Sequence, residues 1–135
     1  MMKRVHVAVG VIIDSNNKIL IAKRPEHLHQ GGKWEFPGGK VESNETTTQA
    51  LIRELKEEVN LDVFDTEPMM TLSFDYPDKH VFLDVHTVLN FKGYAEGIEG
   101  QQIRWVTKSE INNYEFPEAN SPIVETLLAN TIQVS

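Results

Sequence analysis

The chain alternates between two hydrophobic periods. RVHVAVGVII (residues 4–13) is dense in β-branched side chains and is polar internally only at His6, which suits a buried strand. DSNNK (14–18) is a turn signal, and ILIAKR (19–24) reads as a second strand, so the two are expected to form a hairpin. PEHLHQGGK (25–33) has loop composition, and WEFPGG (34–39) is a short strand broken by proline and glycine. The period then changes. In TTTQALIRELKEEV (46–59), Ala50, Leu51, Leu55 and Val59 recur at helical spacing and give the segment one apolar face. Asn44 or Thr46 can cap this helix, and Glu45 sits near its positive end. Asn60 should end it, because Asn follows Gly as the residue that accepts a left-handed turn.

Further along, LDVFDTEPMMTLSFDYP (61–77) and KHVFLDVHTVLNFKG (79–93) are strand-like on either side of a turn at DYPDKH. QQIRWVTKSEI (101–111) reads as a strand running into a short helix, and NSPIVETLLAN (120–130) as a closing helix capped by Ser121 with Pro122 in its first position. Strands and helices mix without strict alternation, which predicts a mixed sheet with helices on its faces. With 135 residues the chain fits one domain, 1–135, with one core.

Charge and composition narrow the chemistry. A net charge of -7 argues against a general nucleic-acid surface, although metal ions can still bridge an acidic protein to phosphates. The absence of cysteine excludes disulfides, thiolate metal sites and a cysteine nucleophile. No stretch is long enough to span a membrane, and the first apolar run lacks the form of a signal peptide, so a soluble cytoplasmic protein is expected. His27 and His29 have the spacing of a metal pair, but their loop setting favours surface histidines.

The segment EFPGGKVESNETTTQALIRELKEEVNL (35–61) carries the chemistry. Glu54, Glu57 and Glu58 are three and four residues apart, so they share one helix face and repel by a few tenths of a kcal/mol per pair. A solvated acidic face is the ordinary reading of such a run. The upstream glycines, which let backbone approach a ligand, and the further carboxylate of Glu45 favour another. Hard oxygen donors without His or Cys suit Mg²⁺ or Mn²⁺, which bring a polyphosphate with them.

The same segment resembles the Nudix box, G-x5-E-x7-R-E-U-x-E-E-x-G-U, with U a bulky apolar residue. Gly39, Glu45 and the run from Arg53 to Leu61 match every defined position except Asn60, where the family has glycine. The resemblance implies a Nudix-like α/β/α sandwich with a mixed β-sheet and helices on both faces, and hydrolysis of a nucleoside diphosphate linked to another moiety. It implies that Glu54, Glu57 and Glu58 bind divalent metal, with the Gly39 backbone completing the site. Glu54 would also help to activate the attacking water, while Glu45 and Arg53 would hold the ligands in place. AVGVII, AKRP, EFPGGKVE, DYPDKH, GIEGQ, Trp105 and FPEANSPIV look like the MutT-type 8-oxo-dGTP diphosphatases of that family, in the same order. By this matching Arg24 would meet the substrate phosphate or sugar and Glu35 the nucleoside. Phe36, Gly38, Lys40 and Asp78 would complete the substrate contacts, and Glu99 would be a further metal ligand or a base on a mobile loop.

Asn120 has its own chemical argument. Oxidation of guanine at C8 turns N7 from an acceptor into a donor beside the O6 acceptor. An amide offers one acceptor and one donor, so it can pair twice with 8-oxoguanine and once with guanine. Flipped, it would suit adenine; alternatively, Asn120 only caps the last helix. The expected substrate is therefore a free small-molecule nucleotide, handled by a monomer (or a dimer) without a stable nucleic-acid complex or membrane. The competing readings are a Nudix hydrolase for a pyrimidine triphosphate or dinucleotide, and a non-catalytic Nudix-like binding module.

Overall fold

The computed structural model describes residues 3–28 and 31–129. Seven strands run in chain order with two helices: β1 (Lys3–Ile12), β2 (Ile19–Lys23), β3 (Trp34–Glu35), β4 (Gly38–Lys40), α1 (Thr47–Val59), β5 (Asp62–Tyr76), β6 (Lys79–Lys92), β7 (Ile103–Val106) and α2 (Ser121–Ala129). Short 3₁₀ turns at Ile111–Asn113 and Glu118–Asn120 lead from β7 into α2.

The strands divide into two sheets. One is mixed and four-stranded, in the order β4-β1-β6-β5, with β1 and β6 parallel; the other is three-stranded, β3-β2-β7. The predicted β1–β2 hairpin is therefore corrected. The turn itself forms: Asp14 Oδ1 accepts from the Asn16 and Lys18 amides at 2.9 Å, and Asn17 has a φ of 61°. Both edges of β1 are already taken, by β4 and β6. β2 must splay into the second sheet, and the two arms are joined near the turn by a bridge between Ile13 and Ile19 and by the Asp14 N–H donating to the Lys18 carbonyl. WEFPGG is divided in the same way, since β3 and β4 on either side of Phe36–Pro37 belong to different sheets.

The period-2 pattern of β1 explains the layering. Ala8 and Ile12 face a cluster built on α1, whereas Val9 and Val11 face the cluster that holds Ile123 and Leu127 of α2. β2 is split likewise, with Leu20 on the α1 side and Ile19 and Ile21 on the other. The sheets thus lie between two helical layers. On α1 the buried residues are the predicted four, Ala50, Leu51, Leu55 and Val59. Each of the larger three contributes roughly 1.5–3 kcal/mol of burial before ordering costs.

The ends of α1 follow its sequence. Thr46 is the N-cap and completes a capping box with Gln49, satisfying two amides that a helix start leaves open. Asn60 closes the helix at φ 62° and ψ 34°, the left-handed conformation expected of it. α2 differs from expectation. Ser121 has helical angles (φ -55°, ψ -43°), because the preceding 3₁₀ turn runs straight into the helix, so Ser121 lies inside the helix and is not its cap. His27 is exposed, and His29 lies outside the described residues.

The Asn60 geometry predicts the effect of restoring glycine there. Asn60→Gly relieves a steric cost at positive φ but adds freedom to the unfolded chain. Chemical denaturation should show a stability change of about 1 kcal/mol or less; a loss of several kcal/mol would mean that the Asn60 side chain is structurally essential.

Candidate active site

The helical face that carries the carboxylates points away from the buried residues of α1 and towards β4. Arg53 organises it. Its Nε donates to Glu45 Oε2 at 2.7 Å and its Nη2 to Glu45 Oε1 at 2.9 Å, a two-point grip across eight residues. Its Nη1 donates to Glu54 Oε2 at 2.8 Å and lies 3.5 Å from Glu57 Oε1, while Nη2 also reaches the Lys40 carbonyl at 3.0 Å. One guanidinium therefore joins the loop before α1, the strand β4 and two turns of the helix. A planar fork with five donors can do this where a lysine cannot. The Arg53 hydrogen bond, together with the Glu42 amide, holds the Glu45 carboxyl down at about 2, and Glu45 and Glu54 in turn raise the Arg53 guanidinium above its ordinary value.

Gly39 is required by the same packing. A Cβ there would fall 2.3 Å from Glu54 Cδ, so the Glu54 carboxylate lies flat against the glycine backbone. Gly38 is equally confined, since its Cβ would lie 2.0 Å from the Ala8 carbonyl oxygen of β1. Its amide instead donates to Glu58.

Glu58 occupies the other edge of the face. Burial, then the charges of Glu35, Glu54 and Glu99, push its carboxyl up to about 8, and the Gly38 amide only partly opposes this. It lines a cleft of about 280 Å³ with Lys23, Arg24, Glu26, Glu35, Glu99, Gln101 and Gln102. Arg24 Nη1 donates to Glu35 Oε1 at 2.7 Å across this cleft, and the two are about equally half-buried. Glu35 is nevertheless raised above the ordinary carboxyl value, because burial outweighs its bond to Arg24.

The structure thus brings Arg24, Glu35, Glu58 and Glu99 into one cleft beside the Arg53-held Glu45, Glu54 and Glu57. Other expected residues stand apart from the cleft lining. Phe36 is buried at 4% exposure and stacks on Phe116 at 5.1 Å, with Ala119 in the same cluster. Asn120 is half-buried in the 3₁₀ turn next to that cluster, and among the described residues its amide makes no side-chain hydrogen bond. Lys40 is exposed and enters through its backbone; Asp78 is exposed at the tip of the β5–β6 turn. Two features escaped the sequence. Gln101 lines the cleft but carries no periodic or charge signal. Thr47 Oγ1 donates to Asp84 Oδ2 at 2.5 Å, and Thr48 and Thr66 link onward to the buried His86, tying the start of α1 to β5 and β6.

Among the described residues no three Asp, Glu or His side chains converge as a ready metal shell; Arg53 draws Glu54 and Glu57 to itself instead. The donor set still fits a hard divalent cation. Its side-chain donors are all carboxylate oxygens, and the cost of charging Glu58 is a cost that a cation would remove.

Residues 8–126 match the NUDIX domain family. The chain belongs to that family, as a pyrophosphohydrolase of MutT type whose class needs divalent metal ions. An 8-oxo-dGTP diphosphatase of Escherichia coli strain K12 is 39% identical over 126 residues, covering 93% of this chain and 98% of its own. A CTP pyrophosphohydrolase of the same organism is 35% identical over 128 residues, covering 95% of this chain and 94% of its own. Among solved structures, one from a study of MutT from Aliivibrio salmonicida and Vibrio cholerae superposes with a TM-score of 0.84 at 43% identity, over 95% of this chain and 99% of that one.

Glu58 gives the metal-free protein a pH signature. A carboxyl raised from 4.5 to about 8 on folding costs nothing below pH 4.5, where both states are neutral. The cost grows as pH rises from 4.5 to about 8 and is complete above that. Glu58→Gln should therefore raise the Tm of metal-free protein at pH 8.5 by about 3 °C or more and leave it nearly unchanged at pH 4.5. Equal shifts at both values would show that Glu58 is charged without penalty.

Proposed function

We propose that this protein hydrolyses 8-oxo-dGTP to the monophosphate and pyrophosphate with Mg²⁺, which removes an oxidised, mutagenic precursor from the nucleotide pool. The observation that carries this reading is one cleft gathering Glu35, Glu58 and Glu99 beside Glu54, in a chain similar to 8-oxo-dGTP diphosphatases over almost its whole length. One water is consumed and one phosphoanhydride bond broken, so the chemistry needs a polarised phosphoryl group, an activated water and a stabilised leaving pyrophosphate.

Glu54, Glu57 and Glu58, with the Gly39 carbonyl and Glu99, would hold Mg²⁺ or Mn²⁺. The bound cation supplies charge neutralisation for the polyphosphate and lowers the pKa of its water. The chain's own groups do the positioning. Arg53 keeps Glu54 against Gly39, where its second oxygen is free to take a proton from water. Glu45 anchors Arg53 in turn. Arg24, paired with Glu35 at the cleft wall, is the cation of the lining that phosphate or sugar would meet. Gly38 and Lys40 border the phosphate end through β4, while Phe36 and Asn120 are proposed for the nucleoside end and Asp78 for a further substrate contact. The protein is read as a single Nudix domain acting as a monomer on free nucleotide in the cytoplasm. The similarity to a CTP pyrophosphohydrolase supports a second reading, a pyrimidine triphosphate as substrate.

A nucleotide panel with Mg²⁺, scored for released pyrophosphate against phosphate, separates the two. 8-oxo-dGTP should give the highest kcat/KM and pyrophosphate as product; a higher value for CTP or dCTP would transfer the assignment. Chelation by EDTA should abolish turnover, and Glu54→Gln and Glu57→Gln should each lower kcat by about 10²-fold or more, the scale of losing one stabilising group in the transition state. A variant that keeps wild-type kcat would remove that residue from the site.

The base reader is tested by selectivity. Asn120→Ala loses two hydrogen bonds to 8-oxo-dGTP but at most one to dGTP, each worth roughly 0.5–1.5 kcal/mol. The ratio of kcat/KM for the two should fall about tenfold. Asn120→Asp keeps an acceptor for N7–H and repels O6. Ratios that agree within about twofold for wild type and both variants would leave Asn120 a structural residue only.

A further inference from the structure

The loop that carries Glu99 is fastened to the end of α1. A helix leaves its last carbonyls without partners in the helix. Here Val59 O accepts from the Glu96 amide at 3.0 Å, and Glu58 O from the Ile98 amide at 3.1 Å. Asn60, at the family's glycine position, adds its own contact, Nδ2 to Glu96 Oε2 at 3.3 Å. Gln101 then uses its amide in both directions. Its Nε2 donates to the same Glu58 carbonyl at 3.0 Å, and its Oε1 accepts the Glu99 N–H at 2.9 Å. The turn between them closes through Gly100 N–H to Gly97 O at 2.9 Å. It is packed tightly enough that a Cβ on Gly97 would lie 1.9 Å from the Gln101 carbonyl oxygen.

We propose that Gln101 is a positioning residue for hydrolysis: its side-chain amide links the backbone of Glu58 to that of Glu99 and sets the Glu99 carboxylate at the cleft. This rests on the reading of Glu99 as part of the site. The need for such a link is electrostatic. Glu99 is exposed, its charge acts on both Glu35 and Glu58, and like charges push it out of the cleft. Glycines at 97 and 100 flank it and make departure entropically favourable. A neutral amide of this length can hold both ends, because it carries a donor and an acceptor. A carboxylate would accept from Glu99 N–H but face the Glu58 carbonyl without a donor, and would add charge to an acidic cleft; a lysine would donate but not accept.

The test combines amide hydrogen exchange in the metal-free protein with steady-state kinetics on the best nucleotide of the panel. Gln101→Met keeps length and loses both bonds. The Glu99 amide should exchange roughly tenfold faster, while the Glu96 amide, bound to a backbone carbonyl, stays within about twofold. kcat should fall about tenfold or more, with KM within about threefold, because the loss falls on placement in the transition state. Gln101→Glu should keep the Glu99 amide protected but lose kcat to a similar degree. Unchanged Glu99 exchange in Gln101→Met overturns the proposal, and so does a raised KM with kcat intact, which would make Gln101 a direct substrate contact. Glu99→Gln separates the two layers. If it costs turnover and Gln101→Met does not, the proposal alone fails. If Glu99→Gln is harmless, the assignment of Glu99 fails and takes the proposal with it.

Discussion

Carboxylates crowded into one poorly hydrated place repel, and most of the local structure around α1 answers that repulsion. Burial, and after it the charges of Glu35, Glu54 and Glu99, hold Glu58 well above the ordinary carboxyl range. Without opposing groups, such a cluster would spread into solvent or take up protons. Each member has a restraint of its own. Arg53 holds Glu54, Arg24 holds Glu35, the Gly38 amide reaches Glu58, and the backbone of Glu99 is tied to Gln101. The residual cost stays with Glu58, whose carboxyl is desolvated by burial and has no cationic side chain beside it among the described contacts. A divalent cation bound there, as proposed above, would offset that cost.

A cluster under this strain needs a rigid support. The support is a helix fixed on three sides. Its apolar face is sunk into the sheet layer through Leu51, Leu55 and Val59. Its first turn is held by the Thr46 capping box and by Thr47 on Asp84, and its last turn by the left-handed Asn60 and by amides of the loop after β6. Functional groups on such an element keep their relative positions better than groups on loops. The two loop-borne members illustrate the difference: Glu45 is gripped by Arg53, and Glu99 is set through Gln101.

The ends proposed here for phosphate and nucleoside are built from different parts of the chain. The acidic cleft lies between β2, α1 and the loop before β7. Phe36, Phe116 and the turn at Asn120 belong to the α2 side of the sheets. The break of WEFPGG between two sheets makes this possible. It sends Glu35 to one sheet and Gly38–Gly39 to the other, with Phe36 buried between them. Chemistry common to the family and discrimination among bases can then vary separately.

What the sequence alone determined was local. The helix read over 46–59, its buried face, a cap at Asn44 or Thr46 (Thr46 takes it), the left-handed Asn60 and the carboxylate face were all legible, because helical periodicity and capping act within a few residues. The resemblance to the box also implied that Arg53 and Glu45 hold the ligands in place, although not the two-point grip between them. The tertiary structure decided the rest. Whether β1 pairs with β2 depends on which strand edges are free, and β4 and β6, distant in sequence, had already taken both edges of β1. Arg24 meets Glu35 across 11 residues, and Gln101 meets Glu58 across 43. Such contacts leave no periodic trace, because a polar side chain on a loop looks the same in sequence whether it faces water or binds the end of a helix.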